Sequence, residues 1–181
     1  MIIGLCGLAG AGKTTAAEYL EREHGFVRVR FAGPLKAMMA ALGCSQDEID
    51  GHLKESPCDL LGGKTPRQAM QWLGTEWGRD MIAPDLWTRA WNAAAKAPRI
   101  VADDVRFANE ADAIRARGGL VVEIQRPGAG AVVGAEHISE AMPFAPDVRI
   151  ENQLGPGLFP MLDALCTRGR VLNGQCLRGA R

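Results

Sequence analysis

Residues Gly7-Leu8-Ala9-Gly10-Ala11-Gly12-Lys13-Thr14 follow directly on the apolar run Met1–Cys6 and fit G-x-x-x-x-G-K-[ST] at every fixed position. This stretch constrains the fold more than any other. An apolar strand must run into a turn whose glycines supply φ values that other residues avoid. The Lys13–Glu23 stretch that follows contains good helix formers and no Gly or Pro, so it must leave as a helix. In such a turn successive N–H groups curl around phosphate oxygens, and the helix N-terminus adds partial positive charge. Lys13 reaches the outer phosphates, and the Thr14 hydroxyl can ligate Mg²⁺. Gly7, Ala9, Gly10, Ala11, Gly12, Lys13, Thr14 and Thr15 are therefore the expected cradle for a nucleoside triphosphate. Switches, motors and kinases all begin this way, so the acceptor must be read from the rest of the chain.

The remaining sequence alternates strand and helix patterns. Arginines interleave with apolar residues over Val27–Phe31, which predicts an edge strand with one wet face. A helix follows through Leu42, with Lys36 in its first turn and Gly43 at its end. Ser45 with Glu48 and Thr65 with Gln68 form two capping-box patterns, the first for a helix to about Lys54, the second for one to Leu73. Pro66 occupies the first helical position of the second, which puts Arg67 in a fixed first turn. Gly74–Asp80 breaks the periodicity, and Asp85 caps a helix from Leu86 to Lys96. Trp87 and Trp91, at i and i+4, share a face and are expected to pack together. Trp87 reads equally as core and as a base-stacking platform.

Arg99–Asp104 is an apolar strand ending in carboxylates, as a Walker B strand beside the phosphate loop would be, and Asp104 is the candidate metal ligand. Arg106 and Glu110 follow, then a helix to Arg117, the strand Leu120–Ile124, a Gly- and Ala-rich stretch that reads as a small lid, the strand Asp147–Glu151 with Asn152 at its end, and a helix Leu158–Cys166. The expected architecture is α/β, a doubly wound five-stranded parallel sheet of the P-loop NTPase type. One domain spans residues 1–168, with a helical insertion at about 35–97 and a lid at about 126–146, and a loosely ordered tail covers 169–181.

Charge narrows the partner. Twenty-one basic residues balance twenty-one acidic ones, so no overall field favours nucleic acid or an anionic membrane, and a small molecule is expected instead. Five cysteines without a C-x-x-C pair, no basic leader and no membrane-length apolar run predict a cytoplasmic protein with reduced thiols, with a homodimer compatible with this reading.

The sheet's ligand edge should gather Lys13, Lys36, Arg67, Asp104, Arg106 and Glu110, with Arg126 at the base of the lid. These cations suffice for two phosphate sites. A switch or motor needs one triphosphate clamp, whereas a kinase acting on a phosphorylated acceptor needs a second anion cradle, which Lys36, Arg67 and Arg106 would supply. Such an acceptor is already anionic, so alignment and charge neutralisation matter more than a general base.

In order, the phosphate loop, Phe31-Ala32-Gly33-Pro34-Leu35-Lys36, Pro66-Arg67-Gln68, Leu73-Gly74-Thr75-Glu76, Asp85-Leu86-Trp87, Asp104-Val105-Arg106-Phe107-Ala108-Asn109-Glu110, Arg126-Pro127 and Ile150-Glu151-Asn152 resemble the phage-type deoxynucleoside monophosphate kinases over about residues 1–166. The resemblance implies ATP as phosphoryl donor, Mg²⁺, and a deoxynucleoside 5′-monophosphate as acceptor, in the host cytoplasm if the origin is a bacteriophage. It implies Lys13, Arg67, Asp104 and Arg106 as catalytic residues and Thr14 with Asp104 at the metal. Lys36, Arg67, Gly74, Thr75, Trp87, Asp104, Arg106 and Glu110 would serve the acceptor, and Arg126 and Asn152 the ATP side. This chain departs from many members at Gly33 and Ala108, and some members carry basic residues inside the loop where it has Ala9 and Gly10, a charge that Arg126 could replace. Competing expectations are a kinase resembling dephospho-coenzyme A kinase, and a regulatory module that hydrolyses ATP or GTP.

Overall fold

The computed structural model describes residues 1–129, 142–153, 157–168 and 176–177. They fall into two compact units, Met1–Arg30 with Ala94–Arg181, and Phe31–Ala93.

The first unit is an all-parallel sheet. Its strands are β1 (Ile2–Cys6), β2 (Val27–Arg28), β3 (Ile100–Ala102), β4 (Leu120–Gln125), β5 (Val148–Glu151) and β6 (Cys176–Leu177), in the spatial order β2-β3-β1-β4-β5-β6. The five strands expected from the sequence are all present, and β6 extends the edge at β5 from within the stretch read as a tail. Around the sheet lie α1 (Lys13–His24), α6 (Ala108–Ala116) and α7 (Leu158–Arg168). Every residue of β1 is buried because helices cover both faces. Ile3 and Leu5 pack with Ala16, Ala17 and Leu20 of α1 and Leu162 and Leu165 of α7. On the opposite face a Cβ at Gly4 would lie 2.3 Å from Ile114 Cδ1 of α6, so the helix rests directly on that backbone. The fold is therefore the doubly wound α/β type.

The edge strand departs from its expected polarity. β2 lies at the edge as predicted, but it spans two residues, and its apolar Val27 is 49% exposed while the arginines are largely covered. The cause is charge. The Asp103 carboxylate after β3 accepts from Arg30 Nε (2.7 Å) and Nη2 (2.9 Å), and the Glu21 carboxylate of α1 accepts from Arg28. The guanidinium groups are drawn onto the protein and Val27 is left to water.

The second unit is helical: α2 (Gly33–Ala41), α3 (Gln46–Ile49), α4 (Pro66–Trp72), a π-helix (Leu73–Ile82) and α5 (Leu86–Ala94, whose last residue falls in the first unit). Leu35, Met39, Cys44, Ile49, Met70 and Trp87 form its core. Both capping boxes exist, with the Ser45 hydroxyl accepting from Glu48 N–H and the Thr65 hydroxyl from Gln68 N–H. α3 is shorter than expected. A Cβ at Gly51 would lie 2.7 Å from Asp47 Cα, so the chain doubles back on itself there before a 3₁₀ turn at His52–Glu55.

The stretch read as a break after Leu73 continues as a π-helix of ten residues. Trp87 explains it. Its ring fills the position a side chain would take at Gly78, 2.5 Å from an ideal Cβ, and its Nε1–H donates to the Gly74 carbonyl at 2.7 Å. Each of the two tryptophans has an aromatic partner. Trp91 stacks on Phe31 at 4.8 Å between ring centres, and Trp87 tilts against Trp77 at 6.4 Å.

No helix among the described residues is long and apolar enough to cross a membrane. Most of the lid stretch, residues 130–141 with His137, lies outside the described residues, as does most of 169–181.

Candidate phosphate-binding site

The loop from Gly7 to Gly12 takes its shape from three left-handed glycines, with φ of 131° at Gly7, 77° at Gly10 and 104° at Gly12. Two of them are also held by space. A Cβ at Gly7 would lie 2.3 Å from the Ile124 carbonyl oxygen of β4, and one at Gly12 would lie 2.5 Å from Asn152 Nδ2. The Lys13 ammonium donates to the carbonyls of Gly7 (2.7 Å) and Leu8 (2.9 Å), which folds its stem over the loop. Ala9, Gly10, Thr14 and Thr15 are exposed and Ala11 is buried, so the outer rim and the first turn of α1 face solvent.

Both residues assigned to the ATP side reach this loop. Arg126 Nη1 donates to the Gly10 carbonyl at 3.2 Å, bringing a guanidinium to the point where the loop itself lacks a cation. Asn152 Nδ2 donates to the Ala11 carbonyl at 2.9 Å. Met142, which sequence reasoning passed over, supplies a thioether sulfur that accepts the Gly7 N–H at 3.3 Å. Nothing in its sequence context marks that contact. Cys6, at the end of β1, is no nucleophile. Burial, aided by the Glu123 carboxylate, pushes its thiol up to about 12.

The two carboxylates after β3 have separate duties. Asp103 is buried and spent on Arg28 and Arg30, while Asp104 is only partly covered. A hydroxyl at Thr14 and a carboxylate at Asp104 are hard oxygen donors, the type Mg²⁺ takes alongside substrate phosphates. Glu110, 3% exposed, accepts the backbone N–H groups of Arg106 (2.8 Å) and Phe107 (3.2 Å) and so pins the entry to α6. Arg106 therefore stands on a backbone that Glu110 holds rigid.

In the second unit Lys36 pairs with Asp50 and Arg67 with Glu55. Gly74 and Thr75 open the π-helix, and Trp87 is bound to Gly74 from beneath. Within the sheet unit the structure brings Arg126 and Asn152 to the loop and Arg106 together with Glu110; within the helical unit it brings Gly74 together with Trp87.

No family model matches the chain. A relative from Acanthamoeba polyphaga mimivirus, described as "Putative deoxynucleotide monophosphate kinase", is 42% identical over 145 residues, covering 71% of this chain and 75% of the relative. Identity of that extent, over a parallel sheet with a phosphate loop after its first strand, places the chain in the deoxynucleotide monophosphate kinase family.

Proposed function

We propose that this protein transfers the γ-phosphoryl group of ATP to a deoxynucleoside 5′-monophosphate, giving ADP and the deoxynucleoside diphosphate. The observation that carries the reading is the phosphate loop built as a cradle, with Lys13 folded across it and Arg126 brought to Gly10. The relative's description supports the acceptor class.

In this reading Lys13, the loop N–H groups and Arg126 hold the donor's phosphates, and Asn152 keeps the loop in register for them. Thr14 and Asp104 would hold Mg²⁺, which when bound offsets phosphate charge. An oxygen of the acceptor phosphate attacks the γ-phosphorus, and the bond from that phosphorus to the β-γ bridging oxygen breaks with its electron pair leaving on ADP. The attacking oxygen is anionic near neutral pH, so the protein supplies alignment and positive charge. Lys36, Arg67 and Arg106 are assigned to the acceptor's phosphate, and Glu110 acts through Arg106 by fixing its backbone.

Arg106→Ala tests the assignment. It lowers kcat/KM for the monophosphate by about 10²–10³-fold, the usual cost of losing a charged donor from a transition state, and leaves ATP affinity nearly unchanged. Equal loss for ATP, measured by titration calorimetry, overturns the role.

A further inference from the structure

We infer, on the reading of the insertion as the acceptor side, that Trp77 is the specificity-determining aromatic on which the acceptor's base stacks. Trp87, the tryptophan that the sequence motif singles out, is then the buried base of that platform. Trp87 is 4% exposed, belongs to the insertion's core, and has its indole N–H engaged by the Gly74 carbonyl. Its ring edge is pressed onto Gly78. A ring so enclosed stiffens the turn above it.

Trp77 has the opposite character. It is 37% exposed, stands on the same π-helix as Gly74 and Thr75, and its ring centre lies 6.4 Å from that of Trp87 at a 45° tilt. A π-helix is rare, and single turns of it recur at functional sites. Here its register follows from Trp87: the hydrogen bond at Gly74 and the contact at Gly78 bracket Trp77, so the buried tryptophan sets where the exposed one stands. An exposed indole carried on a stiff turn offers a large apolar face at low entropic cost, which is what a flat nucleobase needs. Trp72, Met81 and Ile82 are exposed as well. Gly74 and Thr75, the acceptor-assigned residues sharing the turn with Trp77, favour a base over a protein partner here.

The test compares wild type, Trp77→Ala and Trp77→Phe, each as the full chain, by titration with dGMP, dCMP and 2-deoxyribose 5-phosphate, which has no base. Trp77→Ala weakens dGMP by about tenfold and dCMP by less, because the smaller ring stacks over less area. It leaves 2-deoxyribose 5-phosphate within about twofold, and Trp77→Phe recovers most of the dGMP affinity. Unchanged dGMP affinity in Trp77→Ala, or an equal loss for 2-deoxyribose 5-phosphate, overturns the inference. Loss of self-association on sedimentation with nucleotide affinity intact overturns it too and assigns the face to a second copy. Wild type that binds no deoxynucleotide at all overturns the acceptor reading itself, and this inference with it.

Discussion

The phosphate loop and the helical insertion hold their cations by different means. In the loop, Lys13 and Arg126 are held by backbone carbonyls of Gly7, Leu8 and Gly10, groups whose positions follow from the glycine spacing itself. In the insertion, Lys36 and Arg67 are held by the carboxylates of Asp50 and Glu55, which lie fourteen and twelve residues away in sequence. A carbonyl cannot be mutated away or repelled by pH, whereas a carboxylate can. In the proposed reading the donor side is thus held in part by backbone carbonyls and the acceptor side in part by side-chain carboxylates.

The largest effect that sharpens this contrast is Lys13→Met. It removes the cation and leaves the carbonyls, so kcat falls by about 10²–10³-fold while the unfolding midpoint barely moves. A thermal melt run beside steady-state kinetics checks both halves; an unchanged kcat breaks the donor side of the account.

Gly78→Ala addresses the insertion's backbone. Its Cβ would meet the Trp87 ring at 2.5 Å, and overpacking of this kind destabilises by about 1–3 kcal/mol. Denaturant titration should show a lowered midpoint. Gly10→Ala is the counterpart in the loop: no atom lies within 4 Å of the added carbon, and the strain comes only from the positive φ of 77°. If Gly78→Ala is as stable as wild type, Trp87 does not set the π-helix.

Smaller still is Glu55→Gln. Removing the carboxylate takes away one partner of Arg67, in a partly exposed pair worth at most about 1 kcal/mol, so KM for the acceptor falls by no more than about fivefold with ATP unaffected. A rise in acceptor KM instead makes Glu55 an orienting group.

The smallest effect is on pH, and it belongs to neither phosphate site. At the α1–α7 contact Asp163 accepts from Tyr19 Oη (2.8 Å) and pairs with His24 Nε2 (2.7 Å), and these two hydrogen bonds, His24 first, lower its pKa below 3.8. A carboxyl with a depressed folded pKa stabilises the fold above its unfolded value and loses that contribution as pH falls through the folded one. The Tm difference between wild type and Asp163→Asn should therefore be present above about pH 4 and vanish in stronger acid, when His24 no longer faces a carboxylate. A Tm difference that stays constant down to the most acid pH of the series removes the pair from the account.

The same contrast explains what was legible in the sequence. The five strands, the phosphate loop, both capping boxes and α1 were readable because each depends on residues at fixed short spacing. The π-helix was not, since Gly74 and Gly78 read as breakers until Trp87, nine and more residues on, is seen to fill the space they leave. The edge strand's reversed polarity was hidden for a similar reason: Asp103 lies more than seventy residues from Arg28 and Arg30. Of the candidate site, Asp104 was named from the motif, whereas the engagement of Asp103 by Arg28 and Arg30 and the Glu110 contacts to the backbone of Arg106 and Phe107 needed coordinates.

Acceptor dependence is read most directly from Mg²⁺- and ATP-dependent ADP release. The panel is dAMP, dGMP, dCMP, dTMP, the ribonucleotides and dephospho-coenzyme A, against a control without acceptor. Strong stimulation by one or more deoxynucleoside monophosphates is the expected result. Equal ADP release with and without every acceptor, or stimulation by dephospho-coenzyme A alone, would contradict it.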